Sequence, residues 1–370
     1  MIVAALILVG CSVYCVLAIC AAFRYLRKPR RHAAGELPSI SILKPLSGLD
    51  EGLRENLHSY FEQNYTKYEL LFAVRDQGDP AAAIVKELLA RYPEVKARLI
   101  VTGEPPYPHA KVYSLQRMLD SSQNPLVVMA DSDVRVGPDF CRKLAWEFAD
   151  PHLSLVTCPY RAVGGDTIWS RLEAVGMNTE FIAGLLTAVM LEGAKFAVGP
   201  TIVARRSLLE ALGGMERFKD YLAEDFVLGR VASERGYGVD LSSYVIEHRI
   251  GSESMARNFK HRIRWARSTR CSRPAGYIGQ FFTYALPIAL IACAIYPALW
   301  PMLAVTIVLR AAVADMVSRR VLRAKVPWLL LVVQDLLAFV FWIAGFFGNS
   351  VDWRGRRYLL KRDGTMQLAG

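Results

Sequence analysis

Leu126-Val-Val-Met-Ala130-Asp131-Ser-Asp133 is a short apolar run that stops abruptly on two acids. Such a run reads as a buried strand, with both carboxylates placed at its carboxyl end. Working outward, Ile40-Ser-Ile-Leu43, Glu69-Leu-Leu-Phe-Ala-Val74 and Leu99-Ile-Val101 repeat the pattern. Residues 52–63 and 81–92, which lie between them, space Leu, Ile and Val as helices do. Strands alternating with helices of this length imply βαβ units, so the expected fold class is α/β with a mainly parallel sheet. In such a sheet ligands bind beyond the carboxyl ends of the strands, which directs attention to the residues just after each one.

The strand pattern sits within residues 36–275, read as one soluble domain, and apolar segments flank it. Residues 1–23 are apolar throughout, long enough to span about 30 Å of hydrocarbon as a helix. Arg24, Arg27, Lys28, Arg30 and Arg31 follow them, an order that predicts an uncleaved anchor with residue 24 onward in the cytoplasm. A cleaved signal peptide would carry its basic residues ahead of the apolar run and a small-residue cleavage site after it. Residues 277–348 form a second apolar region, divided at Pro297, Pro301 and the basic loop 318–325 into 277–299, 300–317 and 327–348. Residues 349–370 read as a basic tail. Three spans would place that tail outside, whereas Arg354, Arg356, Arg357, Lys361 and Arg362 argue that it is inside. The middle segment, carrying Arg310 and Asp315, is the weakest span, and Gln334 and Asp335 are expected to face a bundle interior.

The 370 residues are 53% apolar, which excludes a disordered chain. Mean hydropathy is +0.23, a value that suits membrane segments added to one soluble domain. The net charge of +11 could suit nucleic acid, but the basic residues collect at the edges of the apolar segments. They are therefore read as topology signals, and no nucleic-acid partner is expected. Seven cysteines form no CxxC pair, so neither a disulfide framework nor a cysteine zinc site is indicated.

Four acidic or basic clusters carry possible chemistry. Asp76 follows the strand ending at Val74, where an aspartate commonly just makes a turn, and Asp79-Pro80 fits that plain role well. Asp131 and Asp133 in a turn can both reach one hard cation, Mg²⁺ or Mn²⁺, held against diphosphate oxygens. Glu224 and Asp225 open a helical run, a place also explained by the helix dipole alone. His261, Arg264 and Trp265 share one face of a basic helix, where they could meet a pyrophosphate and a sugar or simply lipid headgroups.

Together these motifs resemble the inverting, nucleotide-sugar-dependent glycosyltransferases of family 2 type with a GT-A fold, a Rossmann-like arrangement. More narrowly, the whole chain resembles the ceramide glucosyltransferase family, family 21. The likeness runs in order through Lys44-Pro-Leu-Ser-Gly48, Tyr68-Glu-Leu-Leu-Phe72, the segment 76–80, His109-Ala-Lys111-Val112, the segment 131–136, Ala223-Glu-Asp225 and Arg264-Trp265. It implies that Asp76 binds the uracil or ribose of a UDP-sugar, that Asp131 and Asp133 serve the metal and diphosphate, and that Asp225 is the general base. It gives Arg264 and Trp265 to the family's (Q/R)xxRW motif, with His261 departing from its first position, and places His109 and Lys111 near the donor. The acceptor it implies is a membrane lipid, glucose passing to ceramide. Bacterial relatives that glycosylate hopanoids, with N-acetylglucosamine, offer a second reading and imply a bacterial inner membrane. Residues 181–191, apolar nearly all round, would line an acceptor entrance if interfacial and are otherwise a core helix. A processive polysaccharide synthase and a non-catalytic lipid-binding scaffold complete the alternatives.

Overall fold

Apolar β-branched runs bounded by turn residues build the sheet that positions the acids. The computed structural model describes residues 1–29, 36–353 and 356–369. The topology signals read at Arg30, Arg31 and Arg354 lie outside the described residues. Seven strands form the main sheet: β1 (Ile40–Pro45), β2 (Tyr68–Val74), β3 (Ala97–Val101), β4 (Leu126–Ala130), β5 (Leu153–Thr157), β6 (Thr201–Arg205) and β7 (Gly238–Leu241). Their order is β3-β2-β1-β4-β6-β5-β7. All run parallel except β6, which is antiparallel to both β4 and β5. The expectation of a mainly parallel sheet with helical crossovers holds, and the fold is GT-A.

The helices Leu53–Phe61 and Pro80–Arg91 fall where the spacing predicted them. Asp79 starts the second of these by accepting from Ala81 N, and its carboxylate also accepts from Gly48 N at 3.1 Å. The plain structural role foreseen for Asp79 is thus what the residue performs. β1 and β4 are adjacent, yet the chain leaves β1 towards β2 and β3 before returning to β4. This reversal opens a crevice beyond the carboxyl ends of β1 and β4, where open α/β sheets bind ligands. Leu43, Leu71, Val127, Val112 and Leu228 pack into the core beneath it.

The chain forms two compact units, and the span 36–275 is distributed over both. The sheet unit comprises Pro29–Tyr160 and Ala194–Gly251. The other comprises Met1–Lys28, Arg161–Gly193 and Ser252–Gly370.

The second unit is built from apolar helices. Among the described residues four are long and apolar enough to cross a membrane: Ile2–Leu26, Ile168–Glu192, Pro297–Val321 and Trp328–Gly345. Pro274–Thr283 and Ala285–Ile295 make a further apolar pair bent by 60°. Ile168–Glu192 extends well beyond the apolar residues 181–191 and contains a π-helical turn at Met177–Phe181. In the middle C-terminal segment Arg310 is paired: its guanidinium donates to Asp335 at 2.8 and 2.7 Å, a buried bidentate contact. Gln334 and Asp335 are buried, as the cost of placing them in lipid demands. The segment read as a basic tail is instead a three-stranded antiparallel sheet, Ser350–Trp353, Arg356–Leu360 and Met366–Leu368. Tyr358 and Leu360 supply its buried face while Arg356, Arg357 and Leu359 stay exposed.

Candidate active site

Four segments of the sheet unit bring chemistry to the crevice. The loop after β4 carries Asp131 and Asp133; its course is fixed where Asp131 N donates to Pro200 O at 3.1 Å. The helix Ala110–Ser121 carries Lys111 in its first turn, and fully buried His109 caps it by accepting from Val112 N through Nδ1. The helix Glu224–Glu234 begins with Glu224 and Asp225. Gly199 lies against that helix start: a Cβ there would stand 2.9 Å from Asp225 Oδ2. The backbone can approach this carboxylate only without a side chain.

Lys111 is the hub. Its Nζ lies 2.8 Å from Asp131 Oδ1 and 2.9 Å from Glu224 Oε1. His109 Nε2 meets the other Glu224 oxygen at 3.3 Å. Burial alone would lower the Lys111 pKa, but Asp131 and Glu224 reverse the effect and keep the ammonium charged. Burial also works against the Glu224 carboxylate, yet Lys111 and His109 outweigh it and hold the group well below the ordinary range. Asp225 goes the other way. Burial, then the adjacent Glu224 charge, pushes it up to about 7, although Lys111 opposes the rise. Two neighbouring carboxyls therefore separate into a fixed anion and a group that exchanges a proton near neutrality, the division on which acid–base sites depend.

Asp133 turns from this cluster toward His248, whose Nε2 lies 3.1 Å from Oδ2. Burial raises its pKa, but His248 and Lys44 more than compensate, so it stays ionised. Its Oδ1 is sealed from solvent with no hydrogen-bond partner. An orphaned carboxylate oxygen beside a second carboxylate fits a hard divalent cation. Asp131 has one oxygen committed to Lys111, which leaves the other for such an ion. Asp76 stands exposed after β2, its Oδ1 accepting from Gly78 N at 2.9 Å, and the sheet order places it at the same end as Asp131. Arg264 and Trp265 lie on the helix Met255–Ser272 of the other unit. There the Trp265 ring meets the His261 ring edge-on at 4.6 Å between centroids.

From the sequence Glu224 was only half of an acidic pair and Lys44 only the start of a family motif, neither with a role, and His248 was not singled out. Lys44 is fully buried in β1, donates to the Asp131 carbonyl and sits 4.2 Å from the Tyr60 ring centroid. Burial lowers its pKa to about 7, with Asp133 and Asp131 resisting. A lysine inside an otherwise apolar strand was the available signal. Glu224 had only its place at a helix start, and His248 had none.

The pattern that defines the family "Glycosyl transferase family 21" matches residues 2–366. Ceramide glucosyltransferase 1 of Caenorhabditis elegans is 28% identical over 231 residues, covering 62% of this chain and 49% of that protein. Ceramide glucosyltransferase 3 of the same organism is 30% identical over 236 residues, covering 62% and 50%. The chain thus spans about half the length of the curated relatives it matches. Among solved structures, the mannosyltransferase PcManGT of Pyrobaculum calidifontis, in complex with GDP-Man and Mn²⁺, superposes with a TM-score of 0.56 over 93% of this chain and 96% of that one. At 19% identity this likeness concerns the fold, which is GT-A in both. With the family pattern running nearly end to end, the chain belongs to glycosyl transferase family 21.

Proposed function

We propose that this protein is a membrane-bound inverting glycosyltransferase that moves a sugar from a UDP-sugar to the hydroxyl of a lipid, with UDP-glucose and ceramide as donor and acceptor. The observation that carries the reading is Asp225, held beside the Glu224–Lys111–Asp131 network, where burial and the Glu224 charge push its pKa up to about 7. The names of the two nematode relatives support the choice of ceramide. The domain plan that accompanies it is an anchor at 1–23, a catalytic region within 36–275 facing the cytoplasm, membrane helices within 277–348 and the C-terminal residues 349–370.

Inversion needs an acceptor hydroxyl to attack the anomeric carbon from the face opposite the departing diphosphate. Asp225 accepts the hydroxyl proton as the bond to the sugar forms. Lys111 stays cationic and holds Asp131 in place while Glu224 keeps the base from being over-stabilised as an anion. A divalent ion, Mg²⁺ or Mn²⁺, when bound at Asp133 and Asp131, supplies charge neutralisation to the leaving diphosphate. Asp76 takes the uridine, and His109 secures Glu224. Arg264, with Trp265 beside it in the family motif, helps neutralise the leaving diphosphate. The transfer is one displacement without a covalent sugar–enzyme intermediate, so no nucleophilic side chain is required.

The test is transfer in detergent from radiolabelled UDP-glucose and UDP-N-acetylglucosamine onto ceramide, diacylglycerol and a polyol hopanoid. Labelled glucosylceramide, lost with Asp225→Asn while UDP-sugar binding persists, is the expected result. Label on the hopanoid from UDP-N-acetylglucosamine would move the assignment to the hopanoid branch. Absence of both transfer and donor hydrolysis would favour the non-catalytic scaffold.

A further inference from the structure

Within the unit of apolar helices, a second polar cluster takes no part in the reaction proposed above. Glu173, on the helix Ile168–Gly176, is 3% exposed, and Asn258, on the helix Met255–Ser272, is 0% exposed. Asn258 Nδ2 donates to Glu173 Oε2. His261, one turn further along, brings Nδ1 to 3.2 Å from Glu173 Oε1. Glu253, just before that helix, completes the group: one donor atom each from Glu173, Glu253 and His261 lie within 4.8 Å of one another.

Three features separate this group from an ordinary surface acid patch. First, Glu173 Oε1, Glu253 Oε2, His261 Nδ1 and Asn258 Oδ1 are each sealed from solvent without a hydrogen-bond partner. The His261–Glu173 approach is close yet lacks hydrogen-bond geometry, so the two atoms face each other as lone-pair donors would around a shared centre. Second, Glu253 is pre-positioned through its backbone. Its N–H donates to Ser170 Oγ at 2.9 Å, and its carbonyl accepts from Thr167 Oγ1 at 2.8 Å. Both hydroxyls belong to the N-terminal turn of the helix that carries Glu173. Third, the donor set is two carboxylate oxygens and one imidazole nitrogen. Ligands about 2.0–2.2 Å from a tetrahedral ion stand roughly 3.4 Å apart, close to the His261–Glu173 separation.

We propose that Glu173, Glu253 and His261 bind a divalent transition-metal ion of the zinc type, at a site separate from Asp131 and Asp133. Imidazole nitrogen with carboxylate oxygen favours Zn²⁺, Co²⁺ or Fe²⁺ over Mg²⁺ and Ca²⁺. The ion would tie the segment entering the helix Met255–Ser272 to the helix Ile168–Gly176. It would also fix the His261 ring, and with it the edge-on contact to Trp265. This gives the histidine at the first position of the Arg-Trp motif a task that glutamine or arginine there could not perform in the same way. Binding of the ion does not depend on transfer activity, so the two can fail separately.

The test uses the full chain in detergent, stripped of metal and titrated with Co²⁺ in excess Mg²⁺, which saturates hard acidic sites. One Co²⁺ per chain should appear with the intense visible bands of a tetrahedral ion and be displaced by Zn²⁺. His261→Ala and Glu253→Gln should each weaken binding at least about tenfold, since loss of a direct ligand exceeds the effect of an outer partner. Asp133→Asn should leave it unchanged. Glu253 is only partly buried and its substitution by Gln preserves shape, so that variant is expected to fold even if Glu173→Gln does not. The proposal is overturned if the wild-type chain takes up no Co²⁺ under these conditions. It is equally overturned if uptake survives both His261→Ala and Glu253→Gln, or is abolished by Asp133→Asn.

Discussion

The pH dependence of transfer follows from how Asp225 is held. Its carboxyl must be ionised to accept the acceptor's proton, and its pKa stands at about 7. The ionised fraction is then about one-tenth at pH 6, one-half at pH 7 and nine-tenths at pH 8, so kcat/KM should rise roughly tenfold across that interval and then level. A UDP-sugar has no group of its own titrating in this range, so the limb belongs to the protein. Burial raises the Asp225 pKa most, and the Glu224 charge is the next contribution. Glu224→Gln removes that charge and leaves Lys111 opposite, so the limb should move to lower pH. A displacement of one pH unit corresponds to about 1.4 kcal/mol and would lift the relative activity at pH 6 from about a tenth to about a half of the plateau. The plateau itself should fall, because Lys111 loses one of its two anchors. Initial rates at subsaturating donor, measured from pH 5.5 to 8.5 for both proteins, read the effect. A limb at the same pH in Glu224→Gln, or a wild-type profile flat across the range, would refute the assignment of Asp225 as base.

Three further outcomes are expected. Lys111→Met leaves Asp131 and Glu224 without their shared cation, so transfer should drop at least about a hundredfold, and any residual activity should show an acid limb above pH 7. Chelation with EDTA should abolish transfer, with recovery on adding Mg²⁺ or Mn²⁺, and Asp133→Asn should require more metal for the same recovery; full activity in chelator would remove Asp133 from that role. Arg310→Met or Asp335→Leu alone strands a buried charge at a cost of about 3–5 kcal/mol, whereas the double replacement should recover most of the lost stability. Thermal unfolding in detergent separates these cases, and single variants as stable as the parent would contradict the pairing.

Strands β1 to β4 were legible because each is a bounded apolar run separated from the next by a helix, and β1–β2 and β2–β3 pair in chain order. β6 was harder: Thr201–Arg205 joins the sheet against its direction, between strands β4 and β5, and no local pattern announces such a pairing. The helix Ile168–Glu192 was seen only in part, because Arg171, Glu173 and Glu180 interrupt its apolar run; packing inside the unit hides much of that polarity. Arg356 and Arg357 drew attention to topology and away from the alternation at Tyr358 and Leu360 that marks a strand. At the site, position after a strand gave Asp131 and Asp133 as candidates, and the family resemblance gave Asp225. Neither could give Glu224 its role, which exists only because folding carries Lys111 and His109 to it from a distant helix.

The order in which the chain visits its two units bears on how it can be made. β6 lies between β4 and β5, yet it is translated only after Ile168–Glu192 has emerged. A ribosome therefore delivers a long apolar helix in the middle of completing the sheet. Until Thr201–Arg205 arrives, β4 presents an unpaired edge, a surface that invites association with other chains. Closure of the sheet must consequently wait until that long apolar helix has been made. A contiguous fragment such as 36–160, expressed without the later strands, is expected to aggregate in place of yielding a soluble catalytic half.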